Sequence, residues 1–329
     1  MKNPTIKDIA QKLGISVATV SRVLNNSGYA SNEVREQVLE CAKELNYTPN
    51  IAAKSLKVNK TNTIGVIIPD ISNSYFMSAA KGIEDALESD DLTLIIASTD
   101  ENESKEQRVL KTLMQHRVDC LVLATSGLDK IRLEKLLPKS VPVVLFDRLI
   151  ENDNSYNYVV EDNYQGAYEL MKDVLHRGHT DIGFVVGSLR VSTGKERLRG
   201  VNECLQEHNI EIPEFNYFYG NYTLEDGRRA ADYFLHMETI PTAIVSFNNT
   251  MTQGMINRFA EKNSHKENKI LIASYGSLDF ENLLDDQYFF SHKQYPYYMG
   301  KEVGKIINDI LKDNKIEKQV TYKHGDGVE

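Results

Sequence analysis

The chain has 329 residues, enough for two or three domains with cores of their own, and its 41% hydrophobic and 26% charged content excludes a disordered protein. Its formal net charge of −9 argues against a nucleic-acid partner for the whole chain, yet residues 1–60 hold seven Lys and two Arg against one Asp and four Glu, a net +4 that leaves −13 for residues 61–329. A basic head on an acidic body points to nucleic-acid or membrane contact by one part only.

From the N-terminus, Ile6, Ile9, Ala10 and Leu13 fall on one face of a helix. Thr5 caps it with Asp8 at the third helical position, and Gly14 ends it. A second helix follows Ser16, with Val20, Val23 and Leu24 inward and Val17, Ala18, Ser21 and Arg22 on other faces. A third follows Ser31, with Val34, Val38, Cys41, Ala42 and Leu45 inward. Two short helices about a glycine turn, closed by a third, have helix-turn-helix geometry. A generic three-helix domain has the same pattern, but the second helix is too short to be kept for burial alone. Val17 and Ala18 suit a thymine methyl and Arg22 suits guanine. Lys2, Lys7, Ser16, Thr19 and Ser21 suit phosphates.

Beyond residue 60, apolar strand-like runs alternate with helix-like runs. Strands are predicted at 64–69, 92–98, 120–124 and 141–146, then at 182–187, 215–219, 243–247 and 270–275. Helices are predicted near 75–89, 105–116, 163–177, 194–208, 223–237 and 249–262, with a last one ending near 312. This alternation means two successive α/β lobes with parallel sheets, and a ligand cleft beyond the carboxyl ends of their strands.

Cys41, Cys120 and Cys204 lie too far apart for a disulfide framework or metal cluster and read as reduced core residues. The first 13 residues lack the apolar run of a signal peptide, and no apolar stretch nears the roughly 20 residues of a membrane span. A cytoplasmic protein without membrane contact is expected. There is no G-x-S-x-G, P-loop or G-x-G-x-x-G, so no enzyme, cofactor or metal site is expected. His176 and His179 read as a helix-end feature, and Glu101, Glu103 and Glu106 as a solvated charge run.

The stretch T-I-K-D-I-A-x-K-L-G-I-S-x-A-T-V-S-R-V-L-N at 5–25, with L-N-Y-x-P-N-x-x-A-x-S-L at 45–56, resembles the lactose/galactose repressor family (LacI/GalR) of bacterial transcription regulators. The likeness continues through F-D-R at 146–148, V-x-x-D-N-x-x-G-A at 159–167, R-G-H at 177–179, R-L-x-G at 197–200, N-N-x-x-x-x-G at 248–254 and M-G at 299–300. It implies a small all-α helix-turn-helix head (1–46), a hinge helix or linker (47–60) and an α/β body of two parallel-sheet lobes (61–329), like a periplasmic sugar-binding protein. The first lobe would take about 61–160 and 291–329, the second about 161–290. Residues 49–58 resemble the family's hinge helix, which orders on DNA and wedges a leucine, here Leu56, into the minor groove. A plain linker remains the other reading of that segment. The candidate DNA contacts are then Thr5, Ser16, Val17, Ala18, Thr19, Ser21, Arg22, Asn25, Tyr47, Asn50, Ala53 and Leu56.

By position, the residues matching the family's effector contacts are Tyr75, Phe76, Arg148, Arg197, Tyr222, Asn248 and Gln294. Each of them alone also has a bland reading as lobe packing or surface charge. Gly276 and Asn249 depart from the family, which has Asp at both places. Loss of those carboxylates leaves Arg148 and Arg197 short of compensation, which favours a sugar acid or phosphosugar. The implied protein is a dimeric repressor of carbohydrate-utilisation genes on a palindromic operator, controlled by a small carbohydrate-like effector. A regulator switched by a phosphorylated carrier protein and a solute-binding protein remain open beside it.

Overall fold

The computed structural model describes residues 4–25, 27–47, 60–88, 92–151, 155–262, 269–312 and 317–322. Two compact units divide between Thr61 and Asn62.

The first unit is a three-helix head: α1 (Ile6–Leu13), α2 (Val17–Leu24) and α3 (Asn32–Glu44). Each helix starts on a hydroxyl residue. The Asp8 carboxylate accepts from the backbone N–H and the hydroxyl of Thr5, both at 2.7 Å. Ser16 Oγ accepts from Thr19 N at 3.1 Å, and Ser31 Oγ from Val34 N at 3.4 Å. These bonds satisfy amides that the helices leave without partners. Gly14 follows α1 with φ 67°, the left-handed turn that favours glycine. Ile9, Ala10, Val20, Val23, Val38, Cys41 and Ala42 form the core, with Ile6, Leu13, Leu24, Val34, Leu45 and Tyr47 packed around it.

The second unit holds two all-parallel sheets. The first contains β1 (Thr63–Ile68), β2 (Thr93–Ser98), β3 (Cys120–Leu123), β4 (Val143–Phe146), β5 (Asn157–Glu161) and β11 (Gln319–Tyr322), in the order β11-β5-β4-β3-β1-β2. The second contains β6 (Ile182–Val186), β7 (Tyr217–Tyr219), β8 (Ala243–Ser246), β9 (Leu271–Tyr275) and β10 (Phe289–His292), in the order β10-β9-β8-β6-β7. The helices are α4 (Ser74–Ala86), α5 (Glu103–Gln115), α6 (Lys130–Leu136), α7 (Asn163–His176), α8 (Ser192–Glu207), α9 (Leu224–Leu235), α10 (Asn249–Glu261) and α11 (Pro296–Leu311).

Side-chain alternation along the strands covers both faces of the first sheet. Ile64, Val66 and Ile68 share a cluster with Phe76, Met299 and Val303, while Ile67, Leu121 and Leu123 share one with Leu110, Leu113 and Leu133. Helix α11 packs against α4 and so returns to the first lobe, whereas β10 before it belongs to the second sheet. The expected α/β body of two parallel-sheet lobes is the observed fold. Strand β4 starts two residues later than predicted because Pro142 has no amide to give; its carbonyl accepts from Leu121 N at 3.0 Å. Among the described residues no helix is long and apolar enough to cross a membrane.

Candidate functional site

Helix α2 turns Val20 and Val23 into the head core and leaves Val17, Ala18 and Arg22 exposed. Ser21 and Thr19 are half-buried on its flanks, and Ser16 and Thr5 are exposed at helix starts. Asn25 is exposed, with its amide nitrogen donating back to Ser21 O at 2.8 Å. Tyr47 is half-buried against the head core. Asn50, Ala53 and Leu56, with the hinge segment 49–58, lie outside the described residues.

The second unit contains a cleft of about 450 Å³ at the carboxyl ends of its strands. Tyr75 and Phe76 enter it from the start of α4, Arg148 from the loop after β4, and Arg197 from α8. Tyr222 enters after β7, Asn248 after β8 and Gln294 after β10. All seven expected effector residues therefore line one cavity. Four of the lining residues, Asp100, Glu101, Asp147 and Tyr222, have left-handed φ of 51°, 54°, 65° and 65°. Such backbone costs roughly 1–3 kcal/mol per non-glycine residue and gathers where a site must be held in shape.

The charges differ from expectation. Arg148 is almost fully buried and forms a bidentate pair with Glu101, Nη1 to Oε2 at 2.7 Å and Nη2 to Oε1 at 2.6 Å. Nη1 also donates to Thr125 O at 2.9 Å, and Nε lies 3.4 Å from Asp147 Oδ2. Asp147 Oδ1 accepts from the Tyr75 hydroxyl at 3.0 Å. Arg197 donates through Nε to Asn163 Oδ1 at 2.7 Å and through Nη1 to Phe247 O, and its guanidinium lies 3.7 Å over the Tyr275 ring. The cleft lining holds five carboxylates, Asp70, Asp100, Glu101, Asp147 and Asp279, against these two guanidiniums. The premise of two undercompensated arginines is thus corrected: Arg148 already has its carboxylate.

The same contacts correct the reading of Glu101, Glu103 and Glu106 as a solvated run. Glu101 clamps Arg148. Glu103 pairs with Arg132 at 2.8 Å and lies 3.8 Å from Arg190. Glu106 is fully buried, its Oε2 accepting from Ser126 N at 2.7 Å, and burial pushes its carboxyl up to about 7. His179 Nδ1 lies 3.0 Å from Thr242 Oγ1, and His176 ends α7. Among the described residues no group of three His, Cys, Asp or Glu is placed to hold a metal ion.

Both family departures have a structural partner. Across the cleft, Asn249 Nδ2 donates to Asn73 Oδ1 at 2.9 Å, and Asn73 Nδ2 donates back to Asn249 Oδ1 at 3.2 Å and to Thr250 Oγ1 at 3.1 Å. An Asp at 249 would have no donor for Asn73. Asn249→Asp should therefore weaken this clasp between the lobes by about 1 kcal/mol, within the usual net worth of a hydrogen bond. Faster amide hydrogen exchange at the starts of α4 and α10 would show it; unchanged exchange would mean the clasp does not hold the lobes. At Gly276, the space a side chain would take is filled by Gln294.

Comparison with known proteins accords with this geometry. Residues 5–50 match the family described as bacterial regulatory proteins, lacI family, and residues 64–315 match the periplasmic binding protein domain. The HTH-type transcriptional repressor PurR of Photobacterium profundum is 31% identical over 318 residues, 96% of this chain and 94% of that one. Catabolite control protein A of Priestia megaterium is 29% identical over 319 residues, 97% of this chain and 96% of that one. The lac repressor dimer bound to operator and the anti-inducer ONPF has the same fold, with a TM-score of 0.78 at 19% identity, covering 99% of this chain and 100% of that one. Relatives of this kind are transcriptional regulators, not enzymes. With both matches in one chain, and relatives alike along nearly their whole length, the protein is a DNA-binding transcriptional repressor and belongs to the lacI family of bacterial regulatory proteins.

Proposed function

We propose that the chain acts as a homodimer that represses carbohydrate-utilisation genes, under control of a small, uncharged, carbohydrate-like effector in the cleft. The observation that carries the effector reading is the convergence of Tyr75, Phe76, Arg148, Arg197, Tyr222, Asn248 and Gln294 in one cavity whose carboxylates outnumber its guanidiniums. Aromatic faces and fixed amides suit a hydroxyl pattern. A net negative lining disfavours a sugar acid or phosphosugar. Gel-shift titrations on an operator selected from random DNA, with neutral sugars against sugar acids and phosphosugars, test this. A shift in operator affinity caused by an anion and by no neutral sugar would overturn it.

Each head would place α2 in the major groove of one half-site of a palindromic operator, with the hinges carrying Asn50, Ala53 and Leu56 at its centre. Effector binding would bias the lobes toward one arrangement, by as much as its affinities for the two differ. Arg22→Ala should cost about 1–3 kcal/mol of operator binding and relax selectivity at one base position. Unchanged base selectivity would show that α2 lies the other way round. The small positive charge of the head implies modest non-specific affinity, with a salt slope of about −0.9 per neutralised phosphate.

A further inference from the structure

Gln294 lines the cleft, and two neighbours define its place. One is Gly276, whose φ of 96° favours glycine and where a Cβ would stand 2.6 Å from Gln294 Oε1. The other is Glu161, the last residue of β5, whose Oε2 accepts a hydrogen bond from Gln294 Nε2. A carboxylate can only accept. It therefore holds the amide with its NH2 group inward and leaves the carbonyl oxygen beside Gly276. A carboxylic acid also has a proton to donate, which lets it pair with the amide the other way round, carbonyl inward and NH2 outward. We propose that Glu161 is a positioning residue that sets, through Gln294, whether the cleft offers a hydrogen-bond acceptor or a donor beside Gly276.

The surroundings of Glu161 keep both forms within reach. Burial pushes its carboxyl up to about 7, opposed by the Gln294 hydrogen bond, the Arg197 guanidinium from α8 and the Tyr295 backbone N–H, and reinforced by Asp147 after β4. Tyr75 from α4 and Tyr275 from β9 face the same carboxyl, and both phenols are held well above their ordinary range, first by burial. His292 of β10 packs against Tyr275 with the two rings tilted by 33° and their centroids 4.8 Å apart. An effector that presents an acceptor beside Gly276 would then be bound by the protonated form, and one that presents a donor by the ionised form. That consequence rests on the cleft being the effector site; the orientation of the amide does not.

The test uses the full chain without ligand, labelled with nitrogen-15 on glutamine side chains. Loss of one pair of NH2 signals in Gln294→Ala identifies Gln294. In the wild type these signals should move between pH 5.5 and 8.5 with a single midpoint near 7, and in Glu161→Gln they should not move. A wild-type signal that stays fixed over this range overturns the proposal. So does the same titration persisting in Glu161→Gln, which would assign it to a group other than Glu161. Should that variant fail to fold, the carboxyl carbon of Glu161 in the wild type decides instead, by titrating in step with the amide or not. A failed search for the effector leaves this result standing, and a fixed amide leaves the cleft reading standing.

Discussion

Glu101→Ala should destabilise the second unit by about 3 kcal/mol, the lower end of the range for removing one partner of a buried ion pair. The Glu101 and Arg148 side chains are only 11% and 4% exposed, and their two hydrogen bonds are 2.7 and 2.6 Å long. Without Glu101, Arg148 keeps the Thr125 carbonyl and the 3.4 Å approach of Asp147, which softens the loss without removing it. Urea unfolding of the full chain, followed on the larger transition, measures the effect. A loss below about 1 kcal/mol would be typical of an exposed pair and would show that water reaches this one. The double variant Glu101→Leu with Arg148→Met should recover much of the stability, because it removes both charges together. Glu101→Ala also frees a cleft guanidinium. If a neutral effector is bound today because Glu101 occupies Arg148, the variant should gain affinity for sugar acids.

The fold was legible where a local period carries it. Alternating apolar runs marked eight of the strands, and the hydroxyl residues before α2 and α3 marked their starts. Strands β5, β10 and β11 and helix α6 were not read. They are five, four, four and seven residues long, and β11 has only half-buried and exposed positions along it. The aromatic and basic cleft residues were legible through family motifs. Their acidic partners were not, because Glu101 and Arg148 lie 47 positions apart and meet only when β2 and β4 end on the same side of one sheet. Glu161 falls at a position the V-x-x-D-N motif leaves unspecified, so nothing in the motif marked it. Glu106 did carry a signal. It stands at i, i+4 and i+7 with Leu110 and Leu113, the buried face of α5, and that register places a carboxyl in the core whatever its charge suggests.

That buried carboxyl gives the protein a pH dependence of defined sign. The ordinary carboxyl value of Glu106 is 4.5 and burial raises it to about 7 in the folded chain. Between those values the folded state holds a proton that the unfolded state has lost. Stability contributed this way is present below 4.5 and is lost as pH rises through 7. At 1.36 kcal/mol per unit, the cost of ionising Glu106 in place is on the order of 3 kcal/mol by pH 8. Glu161, also raised to about 7, acts in the same direction. Carboxyls held low, such as Glu261 at about 2 beside Arg228 and Arg258, act in the opposite direction and only at more acid pH. The wild type should therefore be less stable at pH 8 than at pH 5, and Glu106→Gln should reduce that difference by about half, the rest being due to Glu161. The amide keeps an oxygen for Ser126 N and carries no charge to bury. Urea unfolding of both proteins at the two pH values measures it. A wild-type curve flat from pH 5 to 8, or an equal slope in the variant, would mean that water reaches Glu106 and that its ionisation is not coupled to folding.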